Sequence, residues 1–337
     1  MKILFGCWLA VLLLLYLALP AAAQAQFTFV TNNGAVTITG YTGSGGEVVI
    51  PSATNGLPIT VIGYWAFSNC TSVTSVIITN GVTVIEGFEP GGNGTGGAFD
   101  GCTSLTNVMI GSSVNDIGIN AFASCTSLIS ITVDTNNPTY SSVSGILFDK
   151  GQTTLMQYPE GNADRCYTIP DSVTNIAPDA FVDCIDLTSI TIGNGVTDIM
   201  LGAFTACTGL TSIFFSSNAP SLNPDLDGPL GTFWNDTATV YYLPGTTGWG
   251  ATFGGLQTAL WLPQAQTRDA AFGVRTNQFG FNINWASGQA VVVEACTNLT
   301  NPIWQPVQTN TLTCGSSYFS DSQWINYSGR FYRLRSP

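Results

Sequence analysis

Histidine is absent from all 337 residues. That excludes a Ser-His-Asp triad, a Cys–His nucleophile pair, the H-E-x-x-H zinc site and any imidazole general base. Charge is scarce as well: Asp, Glu, Lys and Arg make up 8% of the chain, and the only lysines are Lys2 and Lys150. The eight basic residues face 20 acidic ones, for a net charge of −12. Phosphate backbones and anionic bilayer surfaces both call for clustered Lys and Arg, so nucleic acid and such membranes are excluded as partners. The nine cysteines include no C-x-x-C pair. Without histidine, that removes the common zinc sites, and neither metal nor cofactor is expected. Past residue 25, no apolar run approaches the ~20 residues that cross a bilayer.

The apolar run that does exist is N-terminal. Met1-Lys2 is followed by Ile3 to Leu19, then Pro20 and Ala21-Ala22-Ala23-Gln24-Ala25. A charged start, an apolar stretch and an A-x-A site read as a secretory signal peptide at 1–25, cut after Ala25 or after Ala23. Left uncut, the run is just long enough to act as an anchor. The expectation is a secreted or cell-surface protein, with no membrane insertion after cleavage.

What the chain has in quantity is a repeat. The string A-F-x-x-C-x-x-L/V-x-x-I/V occurs at Ala66–Val76, Ala98–Val108, Ala121–Ile131, Ala180–Ile190 and Ala203–Ile213. Cys102 to Cys125 and Cys184 to Cys207 are each 23 residues apart, so the period is 23. Between Cys70 and Cys102 an excess of nine matches the glycine-rich stretch 89–97, and a longer coil between Cys125 and Cys184 has lost its own copy. Within a period, Ala180, Cys184 and Leu187 have helical-turn spacing, Leu187–Ile192 ends as an alternating β-branched strand, and Gly193-Asn194-Gly195 turns the chain. Such a unit cannot bury its apolar face alone, whereas stacked units can, which gives a solenoid.

The full pattern, I-x-x-x-A-F-x-x-C-x-x-L-T-S-I-x-I-x-x-x-V-T-x-I, resembles the BspA-type leucine-rich repeat of mostly bacterial surface and secreted proteins. The resemblance runs from about Gln26 to Pro263. It includes the long coil, where Asn137-Pro138-Thr139-Tyr140, Gly145–Lys150 and Tyr167–Val173 are similar to a variant coil of that family. The insertion at 89–97 and the unit after Phe215 depart from it. The expected fold is a repeat solenoid, a leucine-rich-repeat-like, right-handed β/α superhelix, strand-dominated with a parallel sheet, plus a small C-terminal β-sandwich module. The expected divisions are 26–61 as an N-terminal β cap, 62–215 as repeats, 216–263 as a C-terminal cap containing Trp249–Trp261, and 264–337 as the module.

Position in the stack decides how the cysteines read. Parallel neighbours sit ~4.8 Å apart in register, which suits neither the Cβ separation nor the torsion of a disulfide. Cys70, Cys102, Cys125, Cys184 and Cys207 are therefore expected as buried free thiols used for packing. Phe67, Phe99, Phe122, Phe181 and Phe204 are expected to form a continuous buried stack beside them.

Beyond Pro263 the repeat stops and the charge changes sign. Residues 26–263 carry Lys150 and Arg165 against 17 acids, and residues 264–337 carry five arginines against three. Gln264-Ala265-Gln266-Thr267 reads as a linker, and strands are expected at Phe272–Arg275, Phe279–Trp285, Ala290–Ala295 and Gly329–Leu334. Cys296 and Cys314, in an exported β module, are a candidate disulfide. Arg330, Arg333 and Arg335 read as a solvated edge strand, or as a surface that docks on the acidic solenoid or on an anionic wall polymer.

Three weaker signals remain. Asp179, Asp183 and Asp186 could offer paired carboxylates for glycoside cleavage, but other copies carry Asn120, Ser124 and Ser127 there, which reads as solvent face. Asp225-Leu226-Asp227-Gly228 is a fragment of a calcium loop. Asn69, Asn93 and Asn235 head glycosylation sequons. The leading expectation is a monomeric, non-enzymatic recognition or adhesion protein whose partner is a protein or glycan on another surface, as the resemblance implies. A carbohydrate-active enzyme using carboxylates and a structural envelope protein are the alternatives.

Overall fold

The computed structural model describes residues 26–88, 96–222, 231–285, 289–312 and 315–335. The expected signal peptide and Asn93, Asp225–Gly228 and Cys314 lie outside them. Among the described residues no helix is long and apolar enough to cross a membrane.

The chain opens with the hairpin Phe27–Asn32 and Ala35–Tyr41. Its turn residues Asn33 and Gly34 both have positive φ, 51° and 80°, the geometry that Asn-Gly adopts at least cost. The second strand then pairs in parallel with Leu57–Ile62, and Gly46–Ile50 pairs in parallel with Val73–Ile78. The hairpin thus starts one sheet, and Gly46–Ile50 starts the other.

Each regular coil has three sides. One is a strand of about four residues, such as Ser189–Ile192 or Ser212–Phe215, and the next is a two-residue strand, such as Asp198–Ile199. Strands stack in register along each side: Val76, Val108 and Ile131 are partners in one half, and Ile190, Ile213 and Val240 in the other. The β-branched alternation puts these rows inside, fully buried. Between the two strands the coils come close: a Cβ on Gly195 would run into the backbone carbonyl oxygen of Asp171. Outside, threonine hydroxyls bind the coil before. Thr106 donates to Thr74 O at 2.9 Å, Thr188 to Arg165 O at 2.8 Å and Thr211 to Thr188 O at 3.0 Å. The low charge of the chain follows from this use of hydroxyls on its surface.

The third side is the A-F-x-x-C corner. A helical turn was expected there, and the structure has a run of tight turns instead. Cys184 N–H donates to Phe181 O and Leu187 N–H to Cys184 O, three residues back in each case. The residue before each repeat cysteine is left-handed: Asn69, Gly101, Ser124, Asp183 and Ala206 have φ of 58°, 75°, 56°, 55° and 60°. One left-handed residue ends an α-helix. The only helical element among the described residues is the 3-10 turn Trp324–Asn326.

The long coil interrupts both sheets with the antiparallel meander Tyr140–Val143, Ile146–Asp149 and Thr154–Gln157. Its entry is organised by the fully buried Asn137. The Asn137 amide donates to Gly111 O and Val114 O at 2.9 and 2.8 Å, and its oxygen accepts from Thr139 N and Tyr140 N at 2.8 Å each. At the corner, Tyr158 takes the place of the phenylalanine: its N–H donates to Ala180 O as Phe181 N–H does to Ala203 O. Glu160 replaces a carbonyl. Elsewhere the left-handed residue donates to a backbone oxygen of the next coil, whereas Ser124 N–H is taken by Glu160 Oε1 at 2.9 Å.

The last coil, which falls within the atypical unit after Phe215, is also a repeat in disguise. Phe233-Trp234-Asn235-Asp236 stands where Phe204–Cys207 stands one coil earlier, with Phe204 N–H bound to Thr232 O and Ala206 N–H to Trp234 O. The hairpin Thr252–Phe253 and Leu256–Leu260 closes the sheet, and Trp249 stacks on Tyr242 at 5.1 Å.

The C-terminal module has two sheets. One holds Gln264–Gln266, Gly273–Arg275, Gln278–Asn284 and Ser316–Asp321, and the other Ala290–Cys296, Gln305–Thr311 and Phe331–Arg335. Gln264–Gln266, read above as a linker, is a strand paired with Asn282–Asn284, and Gln305–Thr311 and Ser316–Asp321 are strands that the sequence reading passed over. The basic end strand is the exposed edge of its sheet, with the Arg333 and Arg335 side chains each 47% exposed, and its arginines are also paired within the module. Arg333 Nε and Arg335 Nε meet the two oxygens of the buried Glu294 at 2.7 and 3.1 Å, and Arg330 Nε meets the buried Asp321 at 3.0 Å. Each cation therefore neutralises an acid that the module itself buries. Cys296 is buried, and its expected disulfide with Cys314 falls outside the described residues. The core of the module, with Phe281, Ile283 and Trp285, continues into Trp261, Phe214 and Tyr241 of the solenoid. Trp285 Nε1 donates to Trp261 O at 2.9 Å across that junction.

Candidate functional site

The repeat cysteines and phenylalanines come together at the corner of the coils. The rings stack in two columns. One runs Tyr41, Phe67, Phe99, Phe122 with centroids 5.1, 4.7 and 5.3 Å apart, and the other runs Tyr158, Phe181, Phe204, Phe233 at 5.1, 4.9 and 5.3 Å. The expected single stack is divided because the meander of the long coil lies between Phe122 and Tyr158 in the chain. Cys102, Cys125, Cys184 and Cys207 are buried, Cys70 is half-buried, and all five are free thiols. Each buried thiol reaches the carbonyl of the ring residue in the coil before. Cys102 Sγ donates to Phe67 O at 3.1 Å, Cys125 to Phe99 O at 3.3 Å and Cys207 to Phe181 O at 2.9 Å, with Cys184 further from Tyr158 O at 4.0 Å. Cysteine here is a small apolar side chain that also donates weakly. Burial pushes the Cys184 and Cys207 thiols well above the ordinary range and Cys70 to about 11. This corner is packing: Cys102 is the one thiol of the five that is lowered, chiefly by its hydrogen bond with Cys125, and its Sγ is buried against Phe67 O.

Of the acids that the sequence grouped, Asp179 and Asp183 stand near enough for the Asp183 charge to add to the rise in the Asp179 pKa. Asp179 accepts a hydrogen bond from Asn120 Nδ2 at 2.8 Å, and burial raises its pKa. Asp183 is an exposed left-handed turn residue, raised by burial, and Asp186 is exposed. A further acid near Asp183 is Glu160, which no motif marks. Glu160 is 4% exposed, Oε2 has no partner, and burial, then the Asp183 charge, push its pKa up to about 8. Among the described residues no group of three His, Cys, Asp or Glu is placed to hold a metal.

A concave feature lies elsewhere, where the module meets the four-residue strands of the second half. A cleft of 910 Å³ opens there, within the ~300–1,000 Å³ range of ligand sites. Register builds its floor. Cys166, Ser189 and Ser212 form one outward row across the strands, and Thr168, Thr191, Phe214 and Tyr241 form the next. The facing wall is the cross-strand row Gln264, Asn284 and Ser316 of the module, with Ser316 Oγ 3.2 Å from Asn284 Oδ1. Trp261 and Trp285 close the inner end, and Leu260 and Leu262, each half exposed, stand at the rim. No lining residue carries a charge, in a chain of net −12. Sequence reasoning missed this cleft, since it depends on two sheets meeting. The signal available was the switch from hydroxyls to Phe214 and Tyr241 at one outward strand position.

Known proteins place the repeat. Residues 47–144 and 165–225 match the model of the BspA type leucine rich repeat region, in six copies. No curated protein matches the chain. Similar solved structures include a T. pallidum leucine rich repeat protein, 23% identical, covering 67% of this chain and 86% of that one, with a TM-score of 0.37. A leucine-rich repeat protein from Eubacterium ventriosum is 20% identical over 65% and 77%, TM-score 0.37. The pneumococcal vaccine antigen PcpA is 16% identical over 69% and 83%, TM-score 0.33.

Proposed function

Because residues 47–144 and 165–225 are a BspA-type leucine-rich repeat region, we propose that this chain is an exported recognition protein that holds a ligand on another surface without transforming it. The observation that carries the proposal is the uncharged cleft built on the stacked strands, lined by hydroxyls, amides, rings and the lone thiol of Cys166, with no acid or base among the lining residues. The apolar run and A-x-A site at residues 1–25 support export. The Phe and Cys columns serve to hold the coils in register, which keeps the outward rows rigid; rigid side-chain rows lose little entropy on binding. Adhesion to a protein or glycan of a neighbouring cell or matrix fits this arrangement. A screen of the purified chain from Gln26 against arrays of glycans and surface proteins tests it: saturable retention of one class is expected, and retention of none overturns it.

A further inference from the structure

We propose that the cleft between the solenoid and the C-terminal module takes a neutral oligosaccharide; the proposal rests on the reading of the chain as a recognition protein and assigns its ligand class. The chemistry of the walls selects the ligand. Its polar groups include the hydroxyls of Thr168, Ser189, Thr191 and Ser212 and the thiol of Cys166 on one side, and the amides of Gln264, Gln266 and Asn284 with the Ser316 hydroxyl on the other. These can donate and accept, so they match ligand hydroxyls, and without a cation or anion among them they give a charged ligand nothing to pair with. The apolar part is a ring platform: Phe214 and Tyr241 stack at 5.1 Å and 21°, and Trp261 lies 4.5 Å from Phe214. The parts of Phe214 and Tyr241 left partly exposed by this stack offer apolar surface to the C–H groups of a pyranose.

The spacing adds direction. Outward side chains recur every ~4.8 Å across the strands, close to the rise of one sugar residue along an extended chain. In the row Thr168, Thr191, Phe214, Tyr241 two hydroxyl steps are followed by two ring steps. A chain lying across the strands would hydrogen-bond at one end and stack at the other. An extended peptide docks differently, by pairing its backbone with a strand edge, and here the floor and the facing wall present side chains of sheet faces. The strand Cys166–Thr168 ends its sheet, so peptide pairing there is the competing outcome that the experiment must separate.

The experiment is calorimetric titration of the full exported chain with cello-, malto-, xylo- and manno-oligosaccharides, with oligogalacturonate as the charged probe. Ser212→Asp places a charge on the floor, Gln264→Ala removes an amide from the wall, and Asn107→Asp places the same charge on the outward face of the other half. All three positions are on the surface, and unchanged melting curves check that folding is intact. At least one neutral series is expected to bind and oligogalacturonate not to; Ser212→Asp and Gln264→Ala should each weaken binding at least tenfold, and Asn107→Asp should not. Neutral-sugar binding untouched by the two cleft variants overturns the location. If no sugar binds while a surface protein does, and Ser212→Asp abolishes that, the ligand is a polypeptide: the sugar proposal falls and the recognition reading stands. Retention of no sugar and no protein overturns both.

Discussion

Phe181→Ala is expected to destabilise the solenoid more than Phe122→Ala, although both rings are fully buried and hold the same repeat position. Truncating a buried phenylalanine costs about 3–5 kcal/mol through lost burial and the cavity left behind. The difference comes from the break in the ring column. Phe181 is stacked on both faces, on Tyr158 at 5.1 Å and on Phe204 at 4.9 Å, whereas Phe122 stacks on Phe99 alone, at 5.3 Å. One ring pair adds ~0.5–1.5 kcal/mol beyond its area, so Phe181→Ala should exceed Phe122→Ala by about that much. In Tm, each loss is on the order of 10 °C. Thermal unfolding followed by circular dichroism measures it, and hydrogen exchange locates the coils that open, since neighbouring coils hold one another up. Equal losses in the two variants would mean that the second stacked face contributes nothing. A Phe181→Ala protein that melts like the parent would refute the ring column altogether.

Four further outcomes follow from the same packing. The Tyr158 hydroxyl is buried without a partner where other coils carry phenylalanine, so Tyr158→Phe should gain ~1–3 kcal/mol, read as a higher Tm. Glu160 has its folded pKa raised to about 8 from an ordinary 4.5. Its neutral form is the one the fold accepts, so the full stability is present below pH ~4.5 and is lost as pH rises through about 8, by up to a few kcal/mol. Glu160→Gln should reduce the Tm difference between pH 5 and pH 9, leaving the part that Asp236 contributes, and an undiminished difference would place the Glu160 share elsewhere. Under native conditions an aromatic disulfide reagent should label the exposed Cys166 and leave Cys102, Cys125, Cys184 and Cys207 unlabelled until unfolding; a disulfide between any two repeat cysteines in a peptide map contradicts the packing role. Asp236 stands in the cysteine position of the last coil with both oxygens unpartnered, and burial lifts its pKa to about 7. Asp236→Cys should therefore raise Tm, and more at pH 8 than at pH 5.

The repeat was legible because it is written in the residues whose environment does not change from coil to coil. Phe, Cys and the β-branched rows meet the same neighbours every 23 residues, so their identities recur. The corner misled because spacing alone does not separate a helical turn from successive tight turns. The distinguishing residue is the left-handed one before each cysteine, and Asn, Gly, Ser, Asp and Ala share only small size there. Tyr158 and Glu160 escaped notice because they reproduce the roles of a ring and a carbonyl without the letters of the motif. Gln264–Gln266 reads as a linker because in three residues only Ala265 turns to the core, too little for the alternation that marks a half-buried strand. The arginines of the end strand looked free because Glu294 and Asp321 are distant in sequence. The cleft was out of reach for the same reason: its two walls come from segments that no local pattern connects.

The most direct test of the account is one sample that reports holding and turnover together. The exported chain is incubated with each immobilised neutral polysaccharide, and bound protein and released reducing ends are measured side by side over hours. Recognition without chemistry predicts saturable binding that survives to the end of the incubation with no reducing ends above the protein-free control. Release of reducing ends that is lost in Asp183→Asn would contradict it, and would make the chain a carboxylate-dependent hydrolase.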